Sequence, residues 1–208
     1  MASKFLGSRL AIAVAGTVAG FALWAPTAGA GLLFTGPADT CETDASRPFQ
    51  PWSDNANYVL VPGGSFEDGA PGWSLRGGAG IVSGNETFYV RNAADRRSLY
   101  LPDDATATTP TMCFDLGDWH ARFFVRKMSG GSGSVRVTIV VKTLLGVVSV
   151  LDGGSVGADG QWAPSRRVGL LLSNVTSLLG TKAVSFKFRA NGANFRIDDF
   201  YLDPWKSY

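Results

Sequence analysis

Over residues 58–202 the apolar residues come in short runs, each cut off by Gly, Pro, Asn, Asp or Ser before an amphipathic helix could complete. The runs are YVLV (58–61), GWSL (72–75), TFYV (87–90), SLYL (98–101), TMCF (111–114), ARFFVRKM (121–128), SVRVTIVVK (134–142), VVSVL (147–151), RRVGLLL (166–172), AVSFKFRA (183–190) and NFRIDDFYL (194–202). Many short strands at fairly even spacing predict an all-β chain folded as an antiparallel β-sandwich. Local alternation agrees. Val135, Val137, Ile139 and Val141 face one way while Arg136, Thr138 and Lys142 face the other. Val184, Phe186 and Phe188 are likewise opposed by Ser185, Lys187 and Arg189. A period of two is what a half-buried strand requires. The one helix-like stretch, at 170–179, is limited to a short turn by Ser173, Asn174 and Gly180. The SGGSGS run (129–134) predicts a hairpin loop between two strands.

The first thirty residues read as an export signal. Lys4 and Arg9 precede an apolar stretch (10–25), and Ala28-Gly29-Ala30 supplies the small-residue cleavage pattern. The expected mature protein is secreted and keeps no membrane anchor after cleavage. Lys4 and Arg9 are the only charged residues of the signal, so its removal takes the formal charge from +2 to zero. A neutral chain lacks the cationic excess of a nucleic-acid binder. Two cysteines, Cys41 and Cys113, in an oxidising compartment predict one disulfide. Residues 31–57, with Pro37, Pro48 and Pro51, form an arm whose Phe49 and Trp52 are expected to lie on the sandwich of residues 58–208.

Catalytic machinery is hard to assemble from this chain, and the expectation is that it is not an enzyme. The single histidine, His120, lies in the loop-like DLGDWHAR, and no serine sits in a nucleophile elbow. Glycoside hydrolysis needs two carboxylates facing each other across a sugar. Glu86 is the one acid expected in mid-sheet, and it has no evident partner. Aromatic rings that could stack on a sugar are Trp73, Trp119 and Trp162, with Tyr89 and Arg91 on one side of their strand. Trp73 and Trp162 read as structural, while Trp119 and His120 are the exposed candidates for ligand contact. Charge is also segregated. Residues 119–151 and 160–197 contain no carboxylate. Arg122, Arg126, Arg136, Lys142, Lys187, Arg189 and Arg196 should project away from the core. If their strands share a sheet, Arg122, Arg136 and Arg189 lie on a cationic face that would attract anionic polymers.

Two segments carry a family resemblance. GGSFEDGAPGWSL (63–75) resembles the opening of galactose-binding-like jelly rolls, which include many carbohydrate-binding modules. FRIDDFYLDP (195–204) is similar to their closing strand, and the chain as a whole resembles secreted actinobacterial proteins built on that domain. The resemblance implies a jelly-roll sandwich and a structural calcium ion tying the first strand to the last. It carries that role to Glu67 and Asp198, with Asp199 beside them. A hard cation takes oxygen ligands, which these carboxylates supply. The expected function is a secreted, non-catalytic module for carbohydrate or another cell-envelope polymer. A structural or protein-interaction domain is the alternative, and a glycoside hydrolase comes third.

Overall fold

The computed structural model describes residues 44–114, 120–142, 148–169 and 182–203. The predicted signal, Cys41 and with it the predicted bond to Cys113, Trp119 and the 170–179 stretch lie outside them. The strands are β1 (Ala45–Ser46), β2 (Tyr58–Leu60), β3 (Ser74–Arg76), β4 (Gly80–Ser83), β5 (Arg97–Leu101) and β6 (Thr106–Thr108). They continue as β7 (Met112–Phe114), β8 (His120–Lys142), β9 (Val148–Gly157), β10 (Ala163–Pro164), β11 (Val168–Gly169) and β12 (Lys182–Leu202). A 3-10 turn, Gln50–Trp52, lies in the arm.

Two long strands organise everything. β8 and β12 pair antiparallel from Lys142 opposite Ala183 to Ala121 opposite Leu202. The first half of β12 also pairs with β6 and β7, and its second half with β5 and β2. β9 borders the second half of β8, and β10 and β11 border the first half. One hydrogen-bonded sheet thus has two halves. They face each other, because rings from opposite halves touch. Phe123 is 5.3 Å from Phe188, and Phe200 is 5.1 Å from Phe186 and 5.0 Å from Phe188. The result is the predicted antiparallel β-sandwich, with its core between the halves.

The glycine-rich run 129–134 is not a hairpin. β8 passes straight through it, and β12 passes beside it with a register shift between Asn191 and Ala193. A hairpin would need the two flanking segments to pair with each other, but each pairs instead with its own part of β12. The glycines let two backbones bend together. A Cβ on Gly133 would stand 2.6 Å from the Ala193 Cβ and 2.7 Å from the Asn191 carbonyl oxygen, and Gly192 has φ +76°.

The TFYV run is not a strand either. Residues 87–90 form a turn, because the Glu86 carboxylate takes the N–H groups of Phe88 and Val90 that a ladder would have used. Tyr89 sits there at φ +52°.

A second apolar cluster lies on the far side of β8 and β12. Phe49 from the arm stacks on Phe124 at 5.3 Å and meets Tyr58 edge-on at 4.9 Å, with Trp162 and Tyr201 beside them. Asp54 locks this cover down. Its carboxylate accepts from Arg122 Nη1 at 2.6 Å, from Arg167 Nε at 3.1 Å and from the Tyr58 hydroxyl at 2.8 Å. Burial works against the charge, but the hydrogen bonds from Arg167, Tyr58 and Arg122 hold the Asp54 carboxyl well below the usual range. Arg122, predicted to be an exposed ligand residue, is therefore buried, with its guanidinium 4.4 Å over the Phe49 ring. Strand alternation pointed it away from the main core correctly. The arm then covers it and supplies the acid that its own strand lacks.

Candidate functional site

The candidate surface is the connection between β4 and β5. Glu86 is fully buried, and its N–H donates to Asp198 Oδ2 at 2.8 Å. Its Oε1 accepts from Val90 N–H at 2.8 Å, and its Oε2 accepts from Phe88 N–H. The sequence reading placed Glu86 in mid-sheet. Its oxygens are instead committed to holding a turn. The turn lifts two neighbouring rings into solvent. Phe88 is 44 % exposed and Tyr89 46 %. Phe88 is braced edge-on by Trp52 at 4.8 Å and lies 5.7 Å from Phe124. Beside this shelf Arg91 is bound through Nε at 2.8 Å and Nη2 at 2.5 Å to Asp95, so its charge is met within the loop.

Beneath the shelf lies a buried acidic group. Asp198 accepts from the N–H of Glu86 and, at 2.9 Å, from that of Asp199. Asp199 has φ +46° at the bulge between Asp198 and Tyr201, which turns its side chain out of the ladder alternation. Both its carboxylate oxygens are buried without a hydrogen-bond partner, and so is Asn85 Oδ1. Glu67 Oε1 accepts from Arg96 N–H at 2.8 Å and Arg97 N–H at 2.7 Å, joining the 63–75 segment to β5. Burial, with the Asp199 charge beside it, pushes the Asp198 carboxyl up to about 9. Burial, with Glu86 and Asp95 adding to it, pushes Asp199 up to about 7. No three Asp, Glu, His or Cys side chains among the described residues form a metal-holding group by themselves. Orphaned, buried, oxygen-only donors are the type that a hard cation takes.

The remaining predicted residues are dispersed. His120 opens β8, its Nδ1 3.7 Å from Asp203 Oδ2. Arg126 and Arg196 stand opposite each other in the half-sheet that also carries Arg122. Arg136 and Arg189 stand opposite each other in the other half, so the basic residues do not share one face. Each of that second pair has an exposed acid, Asp152 at 2.8 Å from Arg136 and Asp104 at 2.9 Å from Arg189. Trp73 and Trp162 are structural. Trp73 packs against Phe66 and Phe188, with Nε1 donating to the Pro62 carbonyl, and Trp162 is buried. An open cleft of about 740 Å³ lies at the glycine bend, lined by Lys127, Ser134, Asp159 and Asn191 without an aromatic ring. Sequence reasoning missed Phe88, Asn85 and Asp54. Only Phe88 carried a signal, as an aromatic next to the Tyr89 already singled out.

No protein-family model matches the chain, and no curated protein matches it. Solved structures do. The tandem CBM22 domain of Paenibacillus barcinonensis Xyn10C superposes with a TM-score of 0.50 at 13% identity, over 73% of this chain and 46% of that one. The single CBM22-1 xylan-binding domain of the same protein gives 0.47 at 15% identity, over 69% and 93% of the two chains. TmCBM61, solved with β-1,4-galactotriose, gives 0.39 at 15% identity, over 69% and 96%. At 13% identity the likeness to the tandem domain speaks for the fold alone: both are antiparallel β-sandwiches.

Proposed function

We propose that this chain is an exported, non-catalytic module that binds a carbohydrate polymer of the cell envelope or surroundings through the Phe88–Tyr89 shelf. The observation that carries this reading is the pair of adjacent rings, held half in solvent by a buried glutamate and braced by Trp52. Flat rings offer the apolar C–H face of a pyranose a large contact at low conformational cost. A chain that spends a buried carboxylate and a positive-φ tyrosine on exposing them is stabilising a surface rather than a core. Glu86 is committed to the turn and Asp198 to backbone N–H groups, so these two carboxylates serve the structure of the shelf. The test is affinity electrophoresis of the mature protein on neutral polysaccharides. The Phe88→Ala/Tyr89→Ala variant should bind at least tenfold more weakly than wild type with an unchanged melting curve. Equal retardation of the two proteins would remove the shelf from the binding surface.

The same reading includes a structural calcium ion below the shelf, held by Asp199 and Asn85 Oδ1 with Asp198 and Glu67 in support. It would neutralise carboxylates that burial otherwise disfavours, and it would tie the 84–90 turn to β12. Chelation should lower the melting temperature, since a ligand at a hundred times its dissociation constant contributes about 2.7 kcal/mol. Asp199→Asn should abolish that sensitivity. A melting curve that ignores both chelator and added calcium would rule the ion out.

A further inference from the structure

The outer face of the half-sheet formed by β9, β8, β12, β6 and β3 has a layout that the shelf does not explain. One cross-strand row reads Ser155, Arg136, Arg189, Thr106, Arg76, and the next reads Asp152, Thr138, Lys187, Thr108, Ser74. These positions point outward, because their neighbours Val137, Phe188, Ala107 and Leu75 belong to the core. Lys142 extends the face along β8. Five cations therefore share a surface whose acids, among the described residues, are Asp152 and, at its rim, Asp104. Arg76, Lys142 and Lys187 have no ion pair among the described residues. Arg136 and Arg189 are both 52 % exposed and stand directly opposite each other, an arrangement that costs stability in a sheet. Their ion pairs are solvent-exposed and weak, so an incoming anion can compete with them.

We propose that this face binds an extended polysaccharide whose sugar units carry carboxylates. The chain of reasoning is charge and spacing. Neighbouring strands lie about 4.8 Å apart, so the backbone positions of Arg136, Arg189 and Arg76 fall one and two strand widths apart along one cross-strand row. Planar guanidinium groups donate paired hydrogen bonds to carboxylates. Between the cations lie the hydroxyls of Thr106, Thr108, Thr138 and Ser74, which suit a polymer that alternates charge with sugar hydroxyls. A phosphodiester chain lacking sugar hydroxyls would leave that row unused. No aromatic residue stands in either row, so recognition here is ionic and polar rather than by stacking. The inference extends the binding-module reading to a second surface and does not depend on the shelf.

The experiment measures retardation of the full chain on polygalacturonate, on its methyl-esterified form and on a glycerol-phosphate polymer, each at a series of salt concentrations. Polygalacturonate should bind and weaken steeply with salt, because exposed charges are screened beyond ~10 Å at 0.1 M. The esterified polymer should bind at least tenfold more weakly. Arg76→Ser/Arg189→Ser should lose at least tenfold on polygalacturonate with an unchanged melting temperature, and Arg189→Lys alone should lose less. Equal binding to the esterified polymer, indifference to salt, indifference to the Arg76→Ser/Arg189→Ser change, or no binding at all would overturn the proposal. Tighter binding to the glycerol-phosphate polymer would overturn the carboxylate assignment. Neutral-polymer binding is read separately, so a failed shelf and a failed cationic face give different results.

Discussion

Asp54→Ala should lower the free energy of unfolding by about 3–5 kcal/mol, the scale for leaving one partner of a buried ion pair unmatched. Arg122 is the reason. Its side chain is 10 % exposed, and with Asp54 gone its charge has the Ser165 carbonyl as its remaining described acceptor. Arg167 is far more exposed and can return to water. Urea denaturation measures the effect. Asp54→Leu combined with Arg122→Met should recover much of it, because an apolar pair of similar volume leaves no buried charge. A loss no larger for the single change than for the double one would show that the arm is held by its rings alone. The pH dependence has a definite sign. Asp54 is depressed in the folded chain, so its contribution is fully present above the unfolded carboxylate value of about 3.9 and is lost as pH falls further. The wild type should therefore lose stability below about pH 4 more steeply than Asp54→Ala does.

Phe200→Ala should cost a similar amount, about 3–5 kcal/mol. Phe200 is fully buried at the bulge in β12, and its ring touches Phe186, Phe188, Phe123 and Trp73. Its carbonyl also accepts from Val61 N–H, and its N–H donates to the Gly64 carbonyl. Removing the ring opens a cavity between the two half-sheets at the point where both close on each other. Urea denaturation gives the value. A loss under 1 kcal/mol would mean that the halves do not depend on this contact.

The fold was legible because period-two alternation survives wherever one face of a strand meets the core, as in Val135 to Val141 and Val184 to Phe188. Failures came where a side chain or partner strand overrode the local pattern. Residues 129–134 look like a hairpin in isolation. They are a bend because β12 carries a matching break at Asn191–Ala193, a fact held some sixty residues away. TFYV looks like a strand, but the preceding Glu86 claims its N–H groups. Arg122 faces outward as alternation requires and is buried all the same, because Asp54 and Phe49 arrive from an arm without periodicity. Asp198 and Asp199 were found from motif likeness. The two orphaned oxygens of Asp199 depend on a bulge that no spacing rule reveals.

The partnering of β12 also sets how the chain must fold in time. β2, β5, β6, β7 and β8 all hydrogen-bond to β12, which is the last strand described. Every one of them lacks a central neighbour until residues 182–202 arrive. Contacts of such sequence separation impose a large loop-closure entropy before any packing compensates, which places folding in the slow, roughly millisecond-to-second class of β-sandwiches. During synthesis the core faces of β5 to β8 stay open, and their edges are free to pair with other chains. A chain built this way closes in one late, cooperative step, so truncations that remove β12 should yield aggregates rather than a smaller domain.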